Sequence, residues 1–241
     1  RSRFGIFINK FFYQKTCLLT GDLGLISAFA NGTKKVKSRT ASAAVSPMTY
    51  SSLALYRGRE SYIVDDAKAI DVFFGLREDI EKLSLANYFC ELAGEFSPEN
   101  TEAHEFLSLT LNLLHLLSED KRSADFLKPV GELRMLALAG YMPDLAGCQS
   151  CGNELPDEPV FSLRHAGFFC RNCAPDGEGI PVTPGVINAM RHICTCDDRA
   201  LFAFRMPDSS LKILGDITER YLLLQLGHKL RTLDFYKSIK M

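Results

Sequence analysis

The sequence predicts an α+β protein, in which a small five-stranded barrel is followed by an α-helical domain with a four-cysteine insertion. Three observations lead to this fold class. Short apolar runs separated by turn residues fill residues 1–70, the apolar period becomes helical in residues 71–241, and two Cys-x2-Cys pairs interrupt the helical part. With 241 residues, 46% of them apolar, the chain is long enough to bury a core.

Five short strands are predicted in the first domain, which we assign to residues 1–70. They cover residues 4–8, 16–19, 25–30, 53–56 and 61–64, and the pairs Gly21-Asp22, Asn31-Gly32 and Arg57-Gly58 mark turns. Short strands at this density are typical of an OB-fold, which is a small closed barrel. The longest gap, residues 33–48, lies where an OB-fold has its connection between the third and fourth strands.

Helical periodicity extends over the second domain, residues 71–241. Helices are predicted to begin at Asp71 and at the cap signal Asn100-Thr101, to pass through Leu133, and to begin again at Pro184 and at Ser209 or Ser210. The last of these helices is expected to include Leu230. A zinc insertion at about residues 145–178 follows the helix through Leu133.

The most specific signal is the pair Cys148 and Cys151, followed after eighteen residues by the pair Cys170 and Cys173. Two thiols that lie two residues apart close on one metal ion, and two such pairs complete the tetrahedral shell of a structural zinc site. Because four thiolates leave no position for a catalytic water, the single zinc ion would stabilise the fold. A redox or disulfide cluster is one alternative, and a catalytic zinc is another.

Two local features favour the zinc interpretation. Gly147 and Gly152 bracket the first cysteine pair, where a tight knuckle requires a backbone turn at positive φ. A short hairpin with its turn at His165-Ala166-Gly167 is predicted to carry the second pair.

Basic residues are concentrated at the front of the chain. Residues 1–64 contain ten basic and two acidic residues, whereas the remainder contains 18 basic and 27 acidic residues. This division predicts a front end that binds a polyanion. The candidate nucleic-acid contacts are Lys34, Lys35, Lys37, Arg39, Arg57 and Arg59. A solvated loop is the alternative for these cations, and nearby aromatic residues such as Tyr50 and Tyr56 are either stacking faces or barrel core.

The sequence lacks the motifs of several enzyme classes. A zinc deaminase needs His-x-Glu and a proline before its cysteine pair, but Phe169 precedes Cys170 and His-x-Glu is absent. Neither a glycine-rich phosphate loop nor a nucleophile elbow occurs. Cys194 and Cys196 have no matching pair and are expected to be free thiols.

Localisation is predicted from cysteine usage and hydropathy. Outside the two pairs the cysteines are scattered, which fits a reducing cytoplasm. No segment is long and apolar enough to span a membrane or to direct export. Because the first residue is arginine, we expect that the natural start has been trimmed.

Four stretches of the chain occur in an order that is found in one known family. They are residues 18–26 (LLTGDLGLI), 31–39 (NGTKKVKSR), 132–143 (ELRMLALAGYMP) and 231–238 (RTLDFYKS), with the cysteine pairs between the third and the fourth. In this order the chain resembles the bacterial RecO recombination mediators.

The resemblance implies a non-enzymatic DNA-repair protein of the bacterial cytoplasm, associated with the nucleoid. Such a protein would bind single- and double-stranded DNA, anneal complementary strands and, with RecR, help to load RecA onto DNA covered by single-strand-binding protein (SSB). The acidic, phenylalanine-ended C-terminal tail of SSB would bind an apolar pocket with a neighbouring cation in the helical domain. A zinc-ribbon interaction module without DNA contact and a zinc hydrolase are the alternatives.

Overall fold

The computed structural model describes residues 2–10, 15–29, 43–59, 61–154, 156–175 and 179–240. The chain forms two compact units, Arg1–Arg122 with Leu230–Met241, and Ser123–Lys229. The predicted α+β class is confirmed, because a closed five-stranded barrel comes first and helices follow it. The division of the chain between residues 70 and 71 stays a prediction.

The barrel consists of the five strands that the turn pattern predicted. They are β1 (Ser2–Lys10), β2 (Lys15–Thr20), β3 (Gly24–Phe29), β4 (Tyr50–Arg57) and β5 (Tyr62–Asp71). The barrel closes in the order β1-β2-β3-β5-β4, with β3 and β5 parallel and the other pairs antiparallel. Alternate side chains, including Phe7, Leu18, Leu53 and Val64, point inward and form the buried core.

Helices make up most of the remaining chain. Their bounds are α1 (Ile80–Phe96), α2 (His104–Ser118), α3 (Ala124–Leu138), α4 (Pro184–Thr195), α5 (Asp208–Leu226) and α6 (Arg231–Lys240). The first unit contains α1, α2 and α6, and the second contains α3, α4 and α5. Within the part of the chain that the structure describes, none of the helices is long and apolar enough to cross a membrane.

The predicted starts of the first two helices were wrong. Strand β5 continues to Asp71, and α1 begins only at Ile80, where the Asp79 carboxylate accepts hydrogen bonds from the next backbone N–H groups. The signal at Asn100-Thr101 does not cap α2. Residues 98–103 instead bond to the barrel, and the Ala103 N–H donates to the Gly21 carbonyl at 2.7 Å, so that α2 begins at His104.

The later helices agree with the prediction except at the ends of α5. The helix through Leu133 and the helix opened by Pro184 are both confirmed. Helix α5 begins at Asp208, before the predicted serine caps, and Gly227 ends it in the left-handed conformation with φ 72°. Leu230 therefore lies outside α5.

A small sheet carries the cysteines of the second unit. Its strands β6 (Asp144–Cys148), β7 (Val160–Ser162), β8 (Gly167–Phe169) and β9 (Ile180–Pro181) lie in the order β6-β8-β7-β9. The antiparallel pairing of β7 with β8 confirms the predicted hairpin. Phe161 packs edge-on against Phe168 and against Tyr221 of α5, with ring centroids 5.4 and 6.1 Å away. The sheet is thereby fixed to the helices of its own unit.

Candidate metal centre and nucleic-acid interface

The first cysteine pair lies on a tight turn at the end of β6. The Cys148 N–H donates to the Asn153 carbonyl at 2.8 Å, and the Gly152 N–H donates to the Cys148 carbonyl at 2.8 Å. Gly152 has φ +75°, as the turn prediction required. Gly147 is required for a different reason, because a Cβ atom there would lie 2.5 Å from the Asn153 carbonyl oxygen.

The second pair follows β8 in one turn of 3-10 helix, Arg171–Cys173. The Cys173 N–H donates to the Cys170 carbonyl at 2.9 Å and closes this turn. The Cys170 N–H donates to the Cys148 sulfur at 3.3 Å, so the two knuckles already contact each other through a backbone-to-sulfur bond.

The four thiols that the spacing predicted form one cluster. Their sulfur atoms all lie within 4.8 Å of one another, and the sulfurs of Cys151 and Cys170 are 3.7 Å apart. A tetrahedral site with zinc–sulfur bonds of about 2.3 Å has sulfur atoms about 3.8 Å apart, whereas a disulfide requires about 2.05 Å. The donor set and its spacing therefore fit a zinc ion.

Hydrogen bonding in the cluster favours the ligand form of one thiol. Burial disfavours the Cys148 thiolate, but backbone N–H groups of Cys151, Cys170 and Ser150 outweigh this effect and lower the pKa of Cys148 to about 6. In contrast, a hydrogen bond with the Cys151 thiol is the largest cause that raises the pKa of Cys173 to about 12. Cys148 therefore supplies a thiolate more readily than Cys173 does.

Arg191 of α4 supports the first knuckle and was missed by the sequence analysis. Its guanidinium donates to the carbonyls of Leu145 at 2.7 Å, Ala146 at 2.8 Å and Glu154 at 3.0 Å. These carbonyls lie on both sides of the first cysteine pair. The periodicity of α4 gave no signal for this contact, because Arg191 is far from the cysteines in sequence.

The other conspicuous cysteines do not join the cluster. The Arg134 guanidinium donates to the carbonyls of Ile193 and Cys194 at 3.3 and 3.2 Å, and burial raises the pKa of Cys194 to about 12. Cys194 and Cys196 are free thiols, as expected. In the described residues, the cluster that could bind a metal ion consists of the two predicted cysteine pairs and does not include Cys194 or Cys196.

The candidate nucleic-acid residues divide into two sets. Lys34, Lys35, Lys37 and Arg39 lie outside the described residues. Arg57 and Arg59 are both exposed, at the end of β4 and in the turn that leads to β5. The Gly58 N–H donates to the Ser61 carbonyl at 2.9 Å and closes this turn.

These two arginines line a cleft of about 250 Å³ in the first unit, which we call the barrel cleft. Its other lining residues are Cys17 of β2, Leu25, Ile26 and Ser27 of β3, Gly58, Ser61 and Tyr62 at the turn into β5, and Glu99 and Asn100 after α1. The β2–β3 face and the loop between β4 and β5 are the surfaces with which OB-folds bind oligonucleotides. The barrel cleft combines both surfaces.

The aromatic residues Phe4, Tyr50 and Tyr56 of the barrel do not line the barrel cleft. Tyr56 is 63% exposed, so the core interpretation is wrong for this residue. Tyr50 is half-buried, and its ring centroid lies 6.4 Å from that of Phe4, which is 51% exposed. Both tyrosines alternate outward along β4 while Leu53 points into the core.

The second unit contains an apolar groove of about 1320 Å³, which we call the α5 groove. Its lining residues are Phe161, Ser162, Leu163, Arg164, Gly179, Ile180, Pro181, Arg220, Leu223, Leu224 and Gln225. Leu224 is 55% exposed and adds apolar surface to the groove. Arg164 and Arg220 supply two cations to the same groove.

Comparison with known sequences decides the family. The family described as recombination protein O C terminal matches residues 77–234, and that described as recombination protein O N terminal matches residues 17–73. The chain belongs to the RecO family. The predicted resemblance is therefore confirmed.

Individual RecO proteins match over most of both chains. The DNA repair protein RecO of Acetivibrio thermocellus is 32% identical over 217 residues, covering 90% of this chain and 86% of that protein. The DNA repair protein RecO of Desulforudis audaxviator is 32% identical over 225 residues, with 92% and 88% coverage. That of Alkaliphilus metalliredigens is 25% identical over 224 residues, with 92% and 91% coverage. RecO is by these names a family of recombination and DNA-repair proteins.

Proposed function

We propose that this chain is a non-enzymatic recombination mediator that binds single- and double-stranded DNA and anneals complementary single strands. The observation that supports this best is the barrel cleft, where Arg57 and Arg59 lie beside the β2–β3 face. Arginine side chains neutralise phosphates and release counterions, and an OB-fold surface accepts single strands. The names of the relatives and the excess of basic residues in residues 1–64 point the same way.

Annealing is the activity that such a cationic face would provide. Two DNA backbones held on one basic surface lose much of their repulsion, while phosphate contacts leave the base edges free to pair. We expect Lys34, Lys35, Lys37 and Arg39 to act together with Arg57 and Arg59 in these contacts.

The experiment is an annealing assay with complementary labelled oligonucleotides. Changing Lys34, Lys35, Lys37 and Arg39 together to alanine should reduce the annealing rate and the affinity for single strands. The natural chain should anneal the strands faster than they anneal alone. If it neither binds nor anneals DNA, the zinc-ribbon interaction module becomes the better account.

One zinc ion bound by Cys148, Cys151, Cys170 and Cys173 completes the proposal. The sulfur spacing fits such an ion, which would hold the two knuckles together and stabilise the fold without taking part in chemistry. Elemental analysis of purified protein should find one zinc per chain. A Cys170→Ser variant should lose this zinc, and a Cys196→Ser variant should keep it. Protein without stoichiometric metal would refute the assignment.

The α5 groove is the proposed site for the C-terminal tail of SSB. That tail combines acidic residues with a terminal phenylalanine, and the groove combines apolar lining with the cations of Arg164 and Arg220. A tail peptide should bind the full chain. Leu224→Asp should abolish this binding, whereas Met142→Asp, a change at another exposed apolar residue, should not.

Cooperation with RecR in loading RecA onto SSB-covered DNA is the cellular role that family membership suggests. It would take place in the bacterial cytoplasm, at the nucleoid. None of the cysteines in the described residues forms a disulfide bond, which is compatible with a reducing compartment.

A further inference from the structure

The barrel cleft has a wall that is not part of the barrel. Residues 98–103, which connect α1 to α2, bond to the β3 end of the barrel. The Leu25 N–H donates to the Pro98 carbonyl at 2.9 Å, the Asn100 N–H donates to the Leu25 carbonyl at 3.4 Å, and the Ala103 N–H donates to the Gly21 carbonyl at 2.7 Å. Glu99 forms isolated bridges with Gly24 and Leu25. The backbone of this connection is therefore fixed against β3.

Gly24 makes this close contact feasible. It has φ +60°, and a Cβ atom at this position would lie 2.2 Å from the Pro98 carbonyl oxygen and 2.5 Å from that of Thr101. Glu99 and Asn100 consequently line the barrel cleft from a fixed backbone, together with Arg57 and Arg59. Asn100 has φ 55°, a conformation that asparagine tolerates better than most residues.

A carboxylate in this cleft is unfavourable for a phosphate. Within the residues that the structure describes, the side chain of Glu99 forms no ion pair or hydrogen bond, and it is exposed. An acid beside a polyanion repels it unless the ligand also brings a hydrogen-bond donor. The amino group of cytosine is such a donor, and Glu or Asp side chains accept from it in other complexes. Thymine has no amino group.

We propose that Glu99 selects the base that enters the barrel cleft, favouring a nucleotide with an exocyclic amino group over thymidine. In this arrangement Arg57 and Arg59 bind the phosphates, and the Glu99 carboxylate accepts a hydrogen bond from the amino group of the base. The Asn100 amide, which can both donate and accept, supplies a further polar contact with the base edge. This inference rests on the proposed DNA binding and adds a base preference to it.

The test measures the affinities of the full chain for fluorescent dC and dT oligomers of equal length. The solution is mildly alkaline, so that cytosine tracts stay unfolded, and its salt concentration is constant. The natural chain should bind dC about fivefold more tightly than dT. A ratio of this size is the change in affinity that one additional net hydrogen bond produces. Glu99→Ala should reduce this ratio to less than about twofold.

The ratio of the two affinities separates base recognition from charge. Removing an acid raises the affinity for both oligomers equally, so a general electrostatic effect leaves the ratio unchanged. Glu102→Ala is the matched control, because Glu102 is exposed on the same connection but does not line the cleft. The Glu102→Ala variant should have the same ratio of dC affinity to dT affinity as the natural chain. Asn100→Gly keeps the backbone conformation and should lower the ratio as well.

Two results would overturn the inference while DNA binding stands. The first is an equal affinity of the natural chain for dC and dT, and the second is a preference for dC that survives in Glu99→Ala. A natural chain that binds neither oligomer in a salt-dependent way would refute both the inference and the proposed function. A melting curve for each variant verifies that the altered proteins are folded.

Discussion

At the scale of single residues, Arg191 binds backbone on both sides of the first cysteine pair. Its three carbonyl partners are at Leu145, Ala146 and Glu154, within 3.0 Å of the guanidinium. A guanidinium offers five donors in a rigid plane, so one side chain connects segments that no regular secondary structure joins. The knuckle therefore depends on α4 as well as on its own glycines.

Replacing Arg191 by methionine should destabilise the second unit. The change keeps much of the apolar stem but leaves three carbonyls without their charged donor, which should cost about 2 kcal/mol of unfolding free energy. Arg220→Met is the matched control, since in the described part of the chain Arg220 makes one exposed ion pair, with Asp216 at 3.1 Å, whose loss should cost about 0.5 kcal/mol or less. Urea unfolding measures both values. Equal costs would show that the carbonyl contacts of Arg191 contribute nothing.

At the scale of elements, the connection between α1 and α2 has an unexpected role. A cap signal at Asn100-Thr101 suggested the start of a helix, but residues 98–103 bond to the backbone of Gly21 and Leu25 instead, and Asn100 has φ 55°. The hydrogen bonds to the barrel therefore override the local helix-capping signal. As a result, the connection forms a wall of the barrel cleft instead of the first turn of α2.

Gly24→Ala should disturb this wall. The new methyl group would meet the Pro98 carbonyl at a residue that also requires positive φ, and these effects together should cost more than about 2 kcal/mol. Gly215→Ala is the control, because a Cβ atom there has open space and a helical alanine should stabilise α5 by up to about 1 kcal/mol. Chemical denaturation measures both changes. A Gly24 variant as stable as the natural chain would mean that the connection is not held against β3 in solution.

Spacing and periodicity predicted those features that depend on neighbouring residues. The five strands, the β7–β8 hairpin and the clustering of four thiols each follow from short sequence patterns. The start of α1 at Ile80 follows from the local cap Asp79, which the sequence analysis did not use. The start of α2 at His104 and the contacts of Arg191 depend on distant partners, which a single sequence does not reveal. Glu99 was missed for the same reason, because its place in the cleft comes from tertiary hydrogen bonds.

At the scale of the whole molecule, each compact unit has its own candidate site. The barrel cleft belongs to Arg1–Arg122 with Leu230–Met241, and the cysteine cluster and the α5 groove belong to Ser123–Lys229. The division of charge in the sequence lies within the first of these units, since residues 1–64 contain ten basic and two acidic residues, whereas residues 65–122 contain 5 basic and 13 acidic residues. DNA contact and metal binding should therefore be separable by experiment.

Metal removal should destabilise the unit Ser123–Lys229 and leave DNA binding by the other unit unchanged. Without zinc, the cysteine knuckles lose the bonds that hold them together, so hydrogen exchange should increase in residues 145–175. The affinity for single-stranded DNA should change by less than about twofold, because all six proposed phosphate contacts belong to the other unit. Chelator treatment followed by zinc addition tests this. A large and reversible loss of DNA affinity would contradict the separation of the two sites.

The most direct test of the central claim is the salt dependence of single-strand binding. If the six candidate cations each contact a phosphate, log affinity should fall with log salt with a slope of about −4. The double change Arg57→Ala and Arg59→Ala should reduce the magnitude of this slope by about 1.4, whereas Arg199→Ala with Arg205→Ala, which removes two exposed arginines of the other unit, should leave it unchanged. A slope that is the same in the natural chain and in the Arg57 and Arg59 variant would contradict DNA binding at the barrel cleft.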